Sequence, residues 1–385
     1  MQLASVLKRF SLASVLVAAG HLALELSNNF LPLTYPLFIE QIGLSYAQVG
    51  TVALVAVAAG SLSQPLFGYL ADRFDSRLLA LLSIAWIGTI MGLVGLVPAY
   101  WLLLLVVGLG GLGSAAFHPA GAALAYAVSG GRRGGSMALF SVGGNVGSAL
   151  SPLLIGLGLG WFGLRGTVIL IPVIWIVTLV LYRSLDDIPA SKRRDEGGQT
   201  AVQIGPWAAL LLVVVMAGAR SWYFGALTTY LPEWLQNQGW SPERAGTMLS
   251  VAVASVAVGS LTGGTLSDRL GRIPVMLVAL GGMAPVLWLL LRTSGLLLVP
   301  AVVVAGVLVG ATFPTVIVMA QEAWPGAVGM ASSLAIGVGW LPAGIGSWVV
   351  GVVADQTSLP LALNTLLWPP LVGLVAVLLF RWRYD

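Results

Sequence analysis

Apolar runs of about 20 residues, the length a helix needs to cross the hydrocarbon of a bilayer, follow one another along the whole chain. Short polar gaps containing glycine, proline or charge separate them. A transmembrane barrel would show short segments of alternating polarity instead. The pattern predicts helices near 12–38, 46–70, 78–97, 100–128, 135–160 and 166–183, then near 206–236, 243–267, 274–292, 296–322, 327–353 and 360–381. Between the two sets lies a polar stretch with Asp186, Asp187, Lys192, Arg193, Arg194, Asp195 and Glu196, which reads as a solvent loop. The expected architecture is an all-α membrane protein of twelve transmembrane helices in two pseudo-symmetric six-helix bundles. These span 1–183 and 206–385, with a cytoplasmic linker at 184–205.

The two sets are copies of one another. Gly68-Tyr69-Leu70-Ala71-Asp72-Arg73 recurs as Gly264-Thr265-Leu266-Ser267-Asp268-Arg269, a shift of 196 residues. At the same shift Pro36, Gly43, Ser45, Gly50, Gly110 and Phe117 fall on Pro232, Gly239, Ser241, Gly246, Gly306 and Phe313. Many transporters use such doubling to build a substrate site between two halves that rock against each other.

Composition agrees with a lipid environment. Hydrophobic residues make up 58% and charged residues 8%, where a soluble domain carries about 25% charged residues; mean hydropathy is +0.96. There are no cysteines, so neither disulfides nor thiolate metal sites arise. The net charge of +4 resides in loops and is no nucleic-acid signal. Basic residues stay on the cytoplasmic side. One set of alternate loops and both tails hold Lys8, Arg9, Arg73, Arg77, Arg132, Arg133, Arg183, Lys192, Arg193, Arg194, Arg269, Arg272, Arg381 and Arg383, against Arg165, Arg244 and Arg292 on the other side. Both termini are therefore expected in the cytoplasm. The first apolar run is too long for a signal peptide, whose apolar region is about 7–15 residues.

Gly264-Thr265-Leu266-Ser267-Asp268-Arg269-Leu270-Gly271-Arg272 resembles the signature loop of the major facilitator superfamily. The first copy departs from it, with Asp75 and Ser76 where Gly271 and Arg272 stand in the second. The resemblance implies a conformational latch formed by Asp72, Arg73, Asp268, Arg269 and Arg272, unequal between the halves. A narrower resemblance rests on Gly20-His21 with Glu25, Leu31-Pro32-Leu33-Thr34-Tyr35-Pro36, Phe117-His118-Pro119, Gly143-Gly144-Asn145-Val146-Gly147-Ser148, Arg220-Ser221-Trp222-Tyr223, Ala320-Gln321-Glu322, Gly329-Met330 and Ala354-Asp355. Together these resemble the fosmidomycin-resistance family of bacterial exporters. That family implies proton-driven efflux of small, often anionic, antimicrobials across the bacterial inner membrane. It usually has aspartate where this chain has Glu25.

Ionisable groups inside the membrane point to the site by themselves, since each costs at least about 2.5–3.5 kcal/mol at the helix centre and needs a partner or a wet cavity. Arg220 falls 14 residues into the predicted 206–236 helix. Its planar fork of donors suits phosphonate, phosphate or carboxylate; a structural ion pair is the plainer alternative. His21 and Glu25 are four residues apart and share a helix face. Arg220 is equivalent by the repeat to position 24, so Glu25 and Arg220 are expected as partners that a substrate and a proton contend for. His118 precedes Pro119 within a helix and either relays protons, reads substrate or satisfies the broken turn. The proton-coupling residues are thus Glu25, His21 and His118. The substrate-binding candidates are Arg220, His118, Tyr35, Trp222, Tyr223 and Asn145, with Glu322 as a gate or a plain interfacial charge.

No glycine-rich phosphate loop ending in Lys-Ser/Thr is present, so direct ATP coupling is not expected. His21-x-x-x-Glu25 lacks the second histidine of a zinc protease motif, and no enzyme activity or metal is expected. The sequence supports a monomeric proton-coupled antiporter that exports a small amphiphilic or anionic compound by alternating access. It would need no cofactor beyond the coupling proton, and its partners would be the small-molecule substrate and the bilayer. An uptake permease for an organic anion is the rival within the same class, and a non-transporting receptor or scaffold the rival from another.

Overall fold

The structure, a computed structural model, describes residues 11–129, 133–185, 206–325 and 328–384. The regular structure among these residues is helical throughout. Ten stretches of them are long and apolar enough to cross a bilayer. In chain order the helices are α1 (Leu12–Asn28), α2 (Tyr35–Ile42), α3 (Tyr46–Arg73), α4 (Ser76–Gly92), α5 (Tyr100–Ala127), α6 (Arg133–Phe162) and α7 (Leu170–Ser184). They continue as α8 (Trp207–Gln236), α9 (Pro242–Leu270), α10 (Arg272–Leu290), α11 (Leu298–Ala323), α12 (Val328–Ser333), α13 (Gly339–Gln356), α14 (Leu359–Leu363) and α15 (Trp368–Tyr384). The expected linker at 184–205 lies, beyond Leu185, outside the described residues.

The predicted spans 12–38, 327–353 and 360–381 are each interrupted, the last by a 3-10 turn at Asn364–Leu367. The run predicted as one helix over 12–38 divides at Asn29, and a 3-10 turn at Leu31–Thr34 leads into α2. Pro32 at the start of that turn has no N–H to offer an α-helical bond. In the eleventh predicted span a π-helical segment, Leu334–Val338, separates α12 from α13. Such widened turns recur where a helix has to re-aim side chains at a site.

The chain divides into two compact units. The first contains Met1–Leu37, Ala58–Asp195 and Ser241–Ser250; the second contains Phe38–Val57, Glu196–Trp240 and Val251–Asp385. Within the first, α1 and α6 form the most extensive helix pair. A Cβ at Gly143 would lie 2.1 Å from the Ala18 carbonyl oxygen, and one at Gly147 would lie 2.3 Å from that of Leu22. The backbones approach this closely because small residues line the contact, the usual packing device between membrane helices. In the second unit the repeat-equivalent pair, α8 and α13, packs the same way. Ser221 donates to the Gly339 carbonyl, and a Cβ at Gly225 would lie 2.5 Å from that of Ala343. Gly147→Ala is accordingly expected to lower the yield of monodisperse protein severely, whereas Gly68→Ala, with nothing within 4 Å of the new methyl, is not. Equal yields in fluorescence-detected size-exclusion chromatography would contradict the packing.

The repeat reaches down to single turns. Gly43 and Gly239 both adopt positive φ, at 68° and 84°, closing equivalent helices in the left-handed conformation that glycine tolerates. The first turns of α3 belong to the second unit, where a Cβ at Gly50 would lie 2.5 Å from the Ser347 carbonyl oxygen. The first turns of α9 belong to the first unit, where one at Gly246 would lie 2.6 Å from that of Pro152.

Candidate functional site

In the first unit, α1 presents His21 and Glu25 on one face and α5 presents His118 to the same carboxylate. Glu25 Oε1 lies 3.3 Å from His118 Nε2 and 3.7 Å from His21 Nε2. The other ring nitrogens are committed: Nδ1 of His21 donates to the Phe140 carbonyl at 2.9 Å, and Nδ1 of His118 to that of Ser114 at 2.7 Å. A carbonyl only accepts, so each Nδ1 carries hydrogen, and the exchangeable position on both rings is Nε2. Two lone pairs facing one carboxylate oxygen repel, so the contact calls for a proton between them. The remaining oxygen, Oε2, accepts from Asn29 Nδ2 at 2.5 Å and from the Ser148 hydroxyl at 3.2 Å.

Packing fixes these groups in place. The His21 ring stacks on Phe140 with centroids 4.1 Å apart and occupies the space left by Gly144, where a Cβ would lie 2.4 Å from its Cε1. Glu25 is 9% exposed and His21 8%. The two imidazole nitrogens and the Glu25 carboxylate oxygen lie within 4.8 Å of one another. Within its own unit Glu25 thus meets two imidazoles.

In the second unit, α8 places Arg220 at 3% exposure. Its guanidinium lies over two rings, 5.1 Å from the centroid of Phe313 on α11 and 5.0 Å from that of Trp340 on α13. Among the described residues no carboxylate or hydrogen-bond acceptor meets it. Cation–π contact offsets part of the loss of water, on the order of 2 kcal/mol for a desolvated pair. Neither ring supplies a hydrogen-bond acceptor to the N–H donors of the fork.

A sequence model described as Major Facilitator Superfamily matches residues 17–347 and 213–385. The chain belongs to the Major Facilitator Superfamily. It is thus a multi-pass membrane transporter by descent, not an enzyme. The fosmidomycin resistance protein of Escherichia coli (strain K12) is 30% identical over 377 residues, covering 94% of this chain and 91% of the relative. The MFS-type transporter YfnC of Bacillus subtilis (strain 168) is 27% identical, covering 95% and 92%. A bacterial homolog of the human lysosomal transporter Spinster, solved inward-facing and occupied, superimposes with a TM-score of 0.83 at 15% identity over 96% of each chain, a likeness of fold.

Among the described residues, Tyr35, Trp222, Tyr223 and Asn145 make no hydrogen bond or ring contact with either cluster. Tyr35 is 2% exposed and Tyr223 fully buried, its hydroxyl donating to the Met283 carbonyl at 3.5 Å. Both have the surroundings of core residues. Trp222 covers Gly346 and lines an apolar cavity of about 560 Å³ with Gly218, Pro342 and Trp368. Asn145 is exposed on α6. Sequence reasoning passed over Phe140, Phe313 and Trp340 as site residues. It also passed over Glu233, a 6% exposed acid that accepts from Asn237 Nδ2 at 3.0 Å and from the Tyr46 hydroxyl at 3.4 Å.

The superfamily loop behaves differently in its two copies. In the second, Arg272 joins Asp268 at 2.6 Å and Glu322 at 3.2 Å, so the expected gate residue and the expected latch form one cluster. Arg269 is exposed. In the first copy Asp75, standing where Gly271 has φ 92°, caps α4 by accepting from the Arg77 and Leu78 amides. Ser76 stands where Arg272 does. Arg73 stacks on Tyr69 at 4.3 Å, and the Asp72 side chain lies outside the described residues. Asp268 and Glu322 are largely exposed, so a double-mutant cycle of Arg272→Gln and Glu322→Gln in thermal unfolding is expected to give a coupling of about 0.2–1 kcal/mol. Strict additivity would refute the pair.

Proposed function

We propose that the chain is a proton-coupled antiporter that exports a small anionic or amphiphilic compound across the bacterial inner membrane by alternating access. In this reading it has twelve crossings in two six-helix halves, both termini in the cytoplasm, and works as a monomer. The count follows if 12–42 makes one broken crossing and Ser136–Ser184 makes two, α6 and α7 joined by the 3-10 turn Gly163–Ile169.

One observation carries the proposal: among the described residues no anion meets the buried cation Arg220. A buried charge is retained only where something compensates it, and a transported anion fits that need. The second part of the machine is the His21–Glu25–His118 cluster, in which a single carboxylate oxygen faces two imidazole nitrogens. Imidazole is the side chain that ordinarily titrates between about pH 5 and 8. A proton bound there changes the charge of the cluster by one unit, and such a change biases two conformations that hydrate the cluster differently. The similarity to the fosmidomycin resistance protein favours export.

The experiment is transport in proteoliposomes under an imposed pH gradient, with benzenesulfonate as a permanently ionised anion. Accumulation should follow the pH gradient; accumulation indifferent to it would sink proton coupling. Proton-coupled uptake of an organic anion would use the same residues, and the direction of proton movement separates the two.

A further inference from the structure

We infer that Arg220, Phe313 and Trp340 select an organic monoanion with an aromatic body, the oxyanion on the guanidinium edge and the ring against the two aromatic side chains. The inference rests on reading Arg220 as the anion site and adds to it the charge and shape of what binds.

Charge comes first. Arg220 is one positive charge at 3% exposure, and among the described residues of the second unit no other charged side chain meets it. A single negative charge balances it. A dianion held at the same place would bring in a second charge that no cation among the described residues of this unit meets, and an unpaired buried charge is strongly unfavourable. A neutral molecule would leave the fork as it stands, desolvated and without acceptors.

Shape follows from the rings. The guanidinium carbon lies over both Phe313 and Trp340, and neither ring offers the N–H edge an acceptor. That edge is the geometry in which arginine grips two oxygens at once. Both rings keep part of their own surface exposed while the guanidinium does not. A ligand that reaches the edge therefore lies with its body beside aromatic surface. Flat apolar rings fit there better than an alkyl stub or a polar chain. The first unit shows how specific this arrangement is. Phe117 is equivalent to Phe313 by the repeat and lies 5.5 Å from His21, but Trp340 is equivalent to Gly144, whose open space is filled by the His21 ring.

The test is isothermal titration of the full-length protein in nanodiscs with four probes whose charge does not depend on pH over the working range. These are benzenesulfonate, methanesulfonate, 1,3-benzenedisulfonate and benzenesulfonamide. Benzenesulfonate is expected to bind at least tenfold tighter than methanesulfonate and than the disulfonate, and benzenesulfonamide to show no saturable binding. Trp340→Leu and Phe313→Leu should each shrink the preference for benzenesulfonate over methanesulfonate, and Arg220→Lys should weaken both sulfonates. A disulfonate that binds as tightly as the monosulfonate, or a methanesulfonate that matches it, overturns this inference and leaves Arg220 as an anion site. Binding that survives Arg220→Gln, or no binding of any anion, overturns the anion site as well.

Discussion

Arg220→Ala is expected to abolish anion transport and to reduce anion affinity by about 30-fold to several thousand-fold, the range that follows from about 2–5 kcal/mol for truncating one member of a buried charge pair. Stability should not fall with it. In the free protein the guanidinium has two aromatic neighbours and no acceptor among the described residues, so its removal relieves a buried charge rather than breaking a network. The apparent melting temperature of the ligand-free variant should equal or exceed that of the wild type, while the stabilisation conferred by benzenesulfonate disappears. This combination separates a ligand-binding charge from a structural ion pair, whose loss would leave a partner carboxylate buried alone and lower the melting temperature. Unchanged anion affinity in Arg220→Ala would overturn the assignment.

Glu25→Gln is expected to separate anion movement from proton movement. Glutamine keeps the length of the side chain and can still meet Asn29 and Ser148, but it holds no negative charge against His21 and His118. Exchange of anion for anion across the membrane should therefore persist. A gradient of one pH unit is worth about 1.4 kcal/mol per proton, tenfold in anion ratio for one-to-one exchange; in Glu25→Gln that ratio should fall to one. Accumulation of wild-type size in the variant would remove Glu25 from the mechanism.

The helices were legible in the sequence because a lipid solvent imposes length and apolarity on every crossing. The repeat was legible because both halves solve the same packing problem, down to Gly43 and Gly239 at equivalent left-handed turns. Breaks within spans were less so: Pro32 lies in an apolar run, and nothing in the pattern around Leu334–Val338 distinguishes a π-helical turn from an α-helical one. The ionisable groups Glu25, His118 and Arg220 stood out by depth alone. Their partners did not. Depth alone does not say which neighbouring helix a side chain faces, and Glu25 faces the helix that carries His118. The aromatic surroundings were hidden for a related reason. Phe140, Phe313 and Trp340 are unremarkable in an apolar sequence, and their importance appears only when Gly144 and Trp340 are seen to occupy equivalent positions with opposite volumes. Tyr35 and Tyr223 illustrate the converse, since a hydroxyl suggests a wet site but both side chains are packed in the core.

The central claim is that anion and proton move in opposite directions through one protein, and lumenal pH in proteoliposomes measures it directly. With an inward gradient of benzenesulfonate, no initial pH gradient and the membrane potential clamped, entry of the anion should drive protons out, so that a trapped pH dye reports alkalinisation in the wild type and none in Glu25→Gln. Anion entry with a static lumenal pH, or with acidification, would contradict the account.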